Sequence, residues 1–374
     1  LFMEHVMSHA PGYDRLMKWT PLPIMPTPAA EGLMFRTVAR LREVNLIGVG
    51  LGGATTNVYS VYNEKFVRTV SANLGMSYSI CNVLKESGID NIKRWIPFYI
   101  DEIALRDTLR NKMIRPTTIP ETVEELIIEH AVAREALRLG FQHHKLLARG
   151  LRGIRRQREL SEIFSQQMDT GSYLDMSRID MLCGTGGLLS HAPRRAQAAL
   201  IMMDGFLPEG ITMLAQDSVF MIPHLGILST VHPQAALEIF EKDCLVKLGA
   251  CVAPVYKGDA ANPSETIASV EGVRSDGARI SERIQAGEVK RTVLKEGERA
   301  EINVVPSKGF DVGAGPSEPR RATVEGGTVG LIMDGRGRPI NIPKDDSQRI
   351  DSLISWLRSL EVYPEETLSK HRKR

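Results

Sequence analysis

Two short runs rich in glycine have the composition of loops that hold a ligand. The first run contains Gly52, Gly53, Ala54, Thr55 and Thr56. The second run contains Gly184, Thr185, Gly186 and Gly187. Glycine lets the backbone approach a ligand closely, and the amides of such a turn can point at an anion. The first run therefore suits the binding of a phosphate, and the second suits a ligand-facing loop at the start of a helix. The alternative for both runs is a turn whose glycines serve only packing and chain reversal.

A third glycine pattern competes with this interpretation. Gly48, Gly50 and Gly53 match G-x-G-x-x-G, which binds a dinucleotide when it joins a strand to a helix. Residues 54–62, however, are rich in β-branched and aromatic side chains and predict a strand. An NAD-dependent oxidoreductase is therefore the weaker alternative. The sequence contains no G-x-x-x-x-G-K-[ST] motif, so a P-loop is not expected.

Residue types that bind metals are present but scattered. The widely separated cysteines are Cys81, Cys183, Cys244 and Cys251. None of them has a histidine at metal-ligand spacing. His143 and His144 are consecutive. Consecutive helix positions point about 100° apart, so the two side chains cannot easily share a metal ion, and we expect both to be surface histidines. Asp217 falls in a predicted helix, where a cap or salt bridge competes with a role in a site. No metal site is predicted, and free cysteines fit a reducing compartment, which we take to be the cytoplasm.

One predicted helix carries a basic stripe. Its cations recur at steps of three, four and seven and comprise Arg134, Arg138, Lys145, Arg149, Arg152 and Arg156. Residues at these spacings share a helix face, and acids do not alternate with them. An anionic partner at residues 134–156 is one hypothesis, and an ordinary solvated face is the other. Nucleic acid is not the expected partner, because aromatic side chains for base stacking are not interleaved with the cations.

The elements around the first glycine run are predicted from prolines, apolar residues and β-branched residues. Closely spaced prolines exclude a helix before Thr27, and a helix is predicted over residues 27–41. An apolar strand at 44–49, the glycine turn and the β-branched residues after it predict a hairpin. Residues 65–70 extend that hairpin to a three-stranded meander.

A long helix is predicted from the region of Thr118. Thr118 and Glu121 have the spacing of a capping box, and an apolar stripe with helical periodicity follows them. Gly140, Gly150 and Gly153 weaken the helix, so a bend or break is expected there.

The rest of the chain divides into a helical part and a β-rich part. A strand at 179–183 leads into the second glycine run, and two more helices are predicted at 214–228 and 233–248. Short β-branched segments separated by turns predict a β domain over residues 265–342. An amphipathic helix follows, with an aspartate at 345–346 available as its cap.

Length and charge exclude several classes of protein. The chain has 374 residues, enough for two domains or more, and 47 Lys and Arg residues against 45 Asp and Glu residues. This balance shows no global preference for a polyanion. No apolar run approaches the length of a membrane span or forms a signal peptide. Because the sequence opens at Leu1, we interpret it as a trimmed chain or a fragment.

Residues 50–57, GLGGATTN, resemble a known family signature. The signature is D-x-G-G-A-T-T-D of the glutamate mutase accessory protein family, called MutL and unrelated to the mismatch-repair protein of that name. Stretches that resemble the family in the same order lie at residues 9–13, 26–30, 72–76, 184–187, 327–332 and 336–339. The resemblance covers nearly the whole chain.

The resemblance implies an α/β fold of the actin-like ATPase (ribonuclease H-like) type, shared with sugar kinases and Hsp70 chaperones. It implies ATP and Mg²⁺ as cofactors, residues 52–56 as the second phosphate loop, and residues 184–187 facing the adenosine. Relatives of the family include chaperone-like reactivating factors, which are thought to use nucleotide turnover to release damaged cofactor from adenosylcobalamin enzymes. The first phosphate loop of this fold belongs to an amino-terminal lobe. Nothing before Gly48 resembles that loop, so we expect the lobe to be missing from this chain.

Two departures from the family pattern bear on catalysis. Gly50 and Asn57 stand where the family has aspartates. A phosphoryl site with Mg²⁺ normally needs a carboxylate to hold the hydrated metal and orient the attacking water. We therefore expect nucleotide binding through backbone amides, and an efficient ATPase is not expected from this chain alone.

The leading hypothesis is a nucleotide-binding accessory protein that reactivates an adenosylcobalamin-dependent mutase. The alternative from another class is a catalytically silent scaffold that binds its partners through the basic stripe or the β domain. The predicted parts are the phosphate-loop part of the core at 1–116, the helical insertion at 117–170, the adenosine-loop part at 171–258, the β-rich domain at 259–344, and the final helix with its basic tail at 345–374.

Overall fold

The computed structural model describes residues 9–19, 21–22, 24–150, 173–258 and 265–372. In chain order, the strands of these ranges are β1 Leu46–Leu51, β2 Thr56–Tyr62, β3 Lys65–Ser71, β4 Met181–Thr185, β5 Gly210–Asp217, β6 Leu245–Ala253, β7 Val255–Tyr256, β8 Thr266–Arg274, β9 Arg279–Gln285, β10 Val289–Thr292, β11 Arg299–Pro306, β12 Phe310–Asp311, β13 Arg320–Glu325 and β14 Leu331–Asp334. Eight of the described strands form one sheet in the order β10-β14-β6-β5-β4-β1-β2-β3. A second sheet has the order β13-β11-β8-β9, and β12 pairs with β7. The protein is therefore of the mixed α/β class that the sequence predicts.

Helices cover the large sheet and connect its strands. In chain order, those of the described ranges are α1 Tyr13–Leu16, α2 Thr27–Arg42, α3 Ile80–Ser87, α4 Ile89–Lys93, α5 Glu102–Ile114, α6 Val123–Gly150, α7 Gly187–Ser190, α8 Arg195–Phe206, α9 Ile222–Leu228, α10 Pro233–Ile239, α11 Asp346–Ser359 and α12 Glu365–Arg372. None of these described helices combines the length and the apolar character that crossing a bilayer requires.

The centre of the large sheet is buried on both faces. β1 and β4 are parallel neighbours, as are β4 and β5, and every residue of β1 is buried. On one face, α2 packs so closely that a Cβ on Gly48 would lie 2.6 Å from the ring of Phe35. On the other face, the imidazole of His144 in α6 forms hydrogen bonds with the hydroxyls of Ser60 and Thr69. Burial on both faces explains why these strands have nearly continuous apolar sequences.

The first helix and the meander agree with the sequence. The α2 helix spans Thr27–Arg42, with a proline in its first turn. It ends at Glu43, which has a left-handed backbone with φ 55° and donates its amide to the carbonyl of Ala39. β1, β2 and β3 form the expected antiparallel meander.

The long helix α6 begins later than predicted. Its capping box comprises Thr122 and Glu125, because the Glu125 amide donates to the Thr122 hydroxyl and the Glu125 carboxylate accepts from the Thr122 amide. Thr118 instead donates its hydroxyl to the carbonyl of Arg115. The expected break at Gly140 is wrong, since α6 is continuous to Gly150. Residue 153 lies outside the described residues.

Two predicted helices are partly wrong. Residues 210–217 form β5, and only Ile222–Leu228 of the first predicted helix is helical. The second begins at Pro233 as α10 and continues as a π-helical turn at Phe240–Cys244, and residues 245–253 form β6. Short apolar runs do not separate a buried strand from a buried helix by periodicity, and the neighbouring strands decide between them here.

The β-rich part has two roles in the fold. β8, β9, β11 and β13 form their own sheet, whereas β10 and β14 extend the edge of the large sheet. The final amphipathic helix α11 is capped as expected, because the Asp345 carboxylate accepts from the Gln348 amide. Its apolar side, including Leu353 and Leu357, packs into the main hydrophobic core.

Candidate functional site

The two glycine turns lie next to each other at one edge of the large sheet. β1 and β4 run parallel in a register that pairs Gly50 with Thr185. The carboxyl ends of neighbouring parallel strands meet at the same edge, so the turn after β1 and the turn after β4 are adjacent. The turn after β1 leads directly into β2 and not into a helix, which overturns the dinucleotide interpretation of the G-x-G-x-x-G pattern.

The first turn is held from behind by the segment that follows β3. The amides of Met76 and Ser77 donate to the carbonyls of Gly52 and Gly53, with N···O distances of 3.0 and 2.9 Å. The amides of residues 53–55 have no hydrogen-bond acceptor within the described ranges. The carbonyls of the turn are thus occupied by the protein, while consecutive amides remain free to bind an anion.

The glycines of the second turn have different tasks. A Cβ on Gly184 would lie 2.7 Å from the sulfur of Met202, so Gly184 packs against α8. Gly186 has φ 102°, and a Cβ there would clash with the carbonyl oxygen of Leu51 in β1. Gly187 has no atom within 4 Å of the position of its absent Cβ. Gly187 is therefore the glycine of this turn that borders open space.

A cavity of about 620 Å³ lies where the two turns meet. Gly52 and Gly53 line it on one side, and Gly187 and Leu188 line it on another. Much of its remaining wall comes from α6 and from the segment between α5 and α6, and Met76, Ser77 and residues 191–193 complete it. The volume is within the range of small-molecule sites.

Lys112, Glu129 and His130 are charged or titratable residues that line this cavity and have partners within the protein. Lys112 forms an ion pair with Glu129, with an N···O distance of 2.6 Å. His130 is almost fully buried and its Nδ1 lies 2.7 Å from the hydroxyl of Tyr363. Burial lowers the pKa of His130 to about 3, and the charge of Arg134 adds to this effect, so the ring is neutral near pH 7.

The hydroxyl side chains of both runs are oriented into the protein. Thr56 is fully buried and donates its hydroxyl to the carbonyl of Leu74 at 2.5 Å. Thr185 is fully buried as well and donates to the Asp217 carboxylate at 3.2 Å. Thr55 is half-buried and Ala54 is exposed. Neither threonine at 56 or 185 lines the cavity, so their hydroxyls stabilise the turns.

Asp217 does not lie in a helix, contrary to the sequence prediction. It is the last residue of β5, and its carboxylate accepts hydrogen bonds from the amides of Val219 and Ile222. The carboxylate therefore caps the start of α9, while its bond from Thr185 connects that cap to the second glycine turn.

Sequence reasoning missed a buried carboxyl group beside these turns. Glu31 of α2 is 2% exposed, and the hydroxyl of Tyr59 donates to its Oε2 at 2.5 Å. Burial raises the pKa of Glu31 to about 7, hydrogen bonds from Tyr59 and Asn57 oppose that shift, and the charge of Asp217 adds to it. A glutamate at a buried position of a helix whose other buried residues are largely apolar was the available signal.

The basic stripe is largely neutralised where the structure describes it. Arg134 is buried and donates to the Asp204 carboxylate at 2.7 Å, and Arg138 donates to Glu135 at the same distance. The ammonium of Lys145 lies 4.6 Å from the ring centroid of Phe141. The side chain of residue 149 and residues 152 and 156 lie outside the described part. The prediction of one shared basic face is therefore wrong for Arg134, whose charge is buried in the core, while Arg138 is half-buried and paired with Glu135.

The adjacent histidines differ from each other. His144 is fully buried, which contradicts the prediction of a surface residue, and burial lowers its pKa to about 4. His143 is exposed, with its Nδ1 3.3 Å from the Ser71 hydroxyl. Among the described residues, no three His, Cys, Asp or Glu side chains form a group that could hold a metal.

These features define a mixed α/β protein with two neighbouring glycine turns at the carboxyl edge of its central parallel strands. The chain belongs to the MutL protein family, whose model matches residues 1–244. It is 24% identical over 269 residues to the Protein MutL of Clostridium tetanomorphum, an alignment that covers 65% of this chain. The chain spans about half the length of that relative, since the alignment covers 55% of it.

A solved structure is also similar to part of the chain. It is the activator of the 2-hydroxyisocaproyl-CoA dehydratase from Clostridium difficile with bound ADPNP. The similarity covers 57% of this chain and 69% of that chain, with 11% sequence identity and a TM-score of 0.25.

Proposed function

We propose that this chain is a nucleotide-binding accessory protein that reactivates an adenosylcobalamin-dependent mutase. The observation that carries the nucleotide part is the meeting of the two glycine turns at one cavity. Unpaired amides of residues 53–55 would bind phosphate oxygens, and the open position at Gly187 would receive the rest of the nucleotide. Membership of the MutL family supports the accessory role.

The surface near the cavity supports a protein partner. Ile114 and Ile119, at the end of α5 and in the segment after it, are 70% and 79% exposed. Large aliphatic side chains that are exposed together are typical of surfaces that contact another protein. The proposed client, a mutase such as glutamate mutase, would be contacted here while nucleotide occupies the adjoining cavity.

The residues present fit Mg²⁺ as the companion of the nucleotide. Carboxylate and amide oxygens are the ligands that Mg²⁺ prefers, and Glu31 and the unpartnered Oδ1 of Asn57 offer them near the carboxyl end of β1. Bound Mg²⁺ would neutralise charge on the phosphates. Gly50 and Asn57 favour a second candidate, a chain that binds nucleotide and signals its presence to the client without efficient hydrolysis.

Calorimetry with Mg-ATP tests nucleotide binding, with NAD as the comparison ligand. Gly187→Met should weaken ATP binding at least about tenfold, because its side chain would enter the cavity. Gly187→Ala is the matched control, since a Cβ at this position meets no atom within 4 Å. Equal ATP affinity for the wild type and Gly187→Met would contradict the site, and preferential NAD binding would contradict the ligand.

The accessory role needs a separate experiment with the client. Glutamate mutase inactivated by turnover would be incubated with fresh adenosylcobalamin, ATP and this chain, and recovery of mutase activity would be followed. Recovery that depends on both this chain and ATP supports the proposal. Recovery at the same rate with Gly187→Met would show that the cavity is not the nucleotide site used.

A further inference from the structure

The carboxyl group of Glu31 occupies the space into which a side chain at residue 50 would project. A Cβ built on Gly50 would lie 2.6 Å from Glu31 Oε2 and 3.1 Å from Oε1. Glu31 comes from α2, a different element from β1, so the carboxyl reaches this place across the sheet face. The absence of a side chain at Gly50 is what makes room for it.

Asn57 is the cross-strand partner of Gly50 and belongs to the same cluster. It is 6% exposed, its amide is hydrogen-bonded to Glu31, and its Oδ1 has no hydrogen-bond partner. An orphaned buried oxygen costs about 1–3 kcal/mol, so it marks a place where a partner of opposite polarity belongs.

No Lys, Arg or His side chain pairs with Glu31 in the described ranges. The groups around it are the carboxylate of Asp217, the hydroxyl of Tyr59 and the side-chain amide of Asn57, the same side chain whose Oδ1 has no partner. A buried carboxyl with oxygen neighbours and no cation is costly to keep for packing alone, and glutamine or methionine would fill the same volume. The donor set matches what a hard divalent cation binds.

We propose that Glu31 is the carboxylate through which this chain holds the divalent cation of its nucleotide, reaching the site through the space beside Gly50 that its carboxyl fills. The inference rests on the proposed nucleotide site. Asn57 Oδ1 supplies a second oxygen, and phosphate oxygens and water complete the coordination, as is usual for Mg²⁺. The family pattern has an aspartate at the position of Gly50 in strand β1, whereas in this chain the carboxylate comes from Glu31 of helix α2.

Electron paramagnetic resonance of Mn²⁺ tests the inference without measuring activity. Titrations would use the full chain with Mn²⁺ alone and with Mn²⁺ plus ADP, and calorimetry with ADP in EDTA would measure nucleotide binding on its own. Glu31→Gln keeps the volume and removes the charge, so it should weaken Mn²⁺ binding at least about tenfold, and it should not weaken ADP binding in EDTA, because a negative charge near the phosphates has been removed.

A double substitution controls for loss of folding. Gly50→Asp alone should lower the unfolding temperature, because its side chain collides with Glu31. Glu31→Ala combined with Gly50→Asp returns one carboxylate to the same space and should restore both the unfolding temperature and Mn²⁺ binding. Glu31→Ala alone should bind Mn²⁺ poorly.

The outcomes separate this inference from the function on which it rests. Failure of ADP to bind in EDTA would count against the nucleotide site. Wild-type Mn²⁺ affinity in Glu31→Gln would overturn the inference, as would a double variant that binds Mn²⁺ no better than Glu31→Ala. Absence of Mn²⁺ binding by the wild type, with and without ADP, would overturn it as well.

Discussion

Gly186 touches the backbone of β1 at the carbonyl oxygen of Leu51, so the two glycine turns are joined directly. The contact leaves no room for a Cβ, and the φ of 102° at Gly186 is one that side chains with a Cβ rarely adopt. The relative position of the turns is therefore set by backbone contact between neighbouring strands. Their separation does not depend on a flexible side chain.

Gly186→Ala should lower the free energy of unfolding by about 2 kcal/mol or more, because it combines backbone strain with a clash against Leu51. Urea denaturation followed by circular dichroism measures the change. Gly187→Ala is the control and should be neutral or slightly stabilising, since its Cβ meets open space at the start of a helix. Similar losses for both variants would contradict this account of the turn.

Arg336 connects two buried carboxylates at the core of the protein. It donates to Asp204 and to Asp334 at 2.8 Å each, and all three side chains are at most 2% exposed. Arg336→Met should cost about 3 kcal/mol or more of stability, because it removes the charged hydrogen bonds that join the two carboxylates, although Asp204 keeps Arg134 and Asp334 keeps Arg338. Arg110→Met, at an exposed pair with Asp107, should cost less than about 0.5 kcal/mol by the same denaturation measurement.

Acid should destabilise the fold through His144. Burial lowers its pKa from the ordinary 6.5 to about 4, so the unfolded chain binds a proton in this range that the folded chain does not. The stability is therefore complete above pH 6.5 and is lost as the pH falls through 4, by about 3 kcal/mol for this group.

Replacement of the imidazole isolates that effect. His144→Gln retains groups that can bond to the hydroxyls of Ser60 and Thr69 but does not titrate. Urea denaturation at pH 7, 6 and 5 should show a shallower loss of stability for the variant than for the wild type. Parallel curves would mean that His144 does not contribute to acid unfolding.

The cap of α6 gives a test of where that helix begins. Thr122→Ala removes the hydroxyl that accepts from the Glu125 amide and should cost about 1 kcal/mol. Thr118→Ala, at the position that the sequence pattern favoured, should cost less than about 0.5 kcal/mol, because its hydroxyl donates only to Arg115 on the surface. A larger loss of stability for Thr118→Ala than for Thr122→Ala would indicate that α6 begins near Thr118.

The sequence predicted secondary structure correctly where the deciding signal lies within a few neighbouring residues. Prolines before Thr27 predicted the start of α2, and the β-branched residues after Thr55 predicted a strand in place of a helix. Asp345 was available as a cap and the structure uses it. In each case the deciding interaction joins residues close in sequence, so the pattern contains the information.

Predictions failed where distant segments determine the outcome. The run at residues 210–217 is apolar and short, and β4 and β6 on either side make it a strand. Gly140 tolerates its place in α6 because the helix packs there against Thr56, whose Cγ2 would lie 2.9 Å from a Cβ on residue 140. Arg134 pairs with Asp204, which lies 70 residues further along the chain, so helical spacing could not reveal that partner.

By itself, the sequence determined the class of fold, the family, the glycine turns and the two positions where acidic residues of the family pattern are missing. The tertiary structure decided that the turns are neighbours, which of their glycines faces the cavity, and that Glu31 fills the space beside Gly50. The physical reason is that turn chemistry depends on a few consecutive residues, whereas a buried charge is placed by packing between elements far apart in the chain.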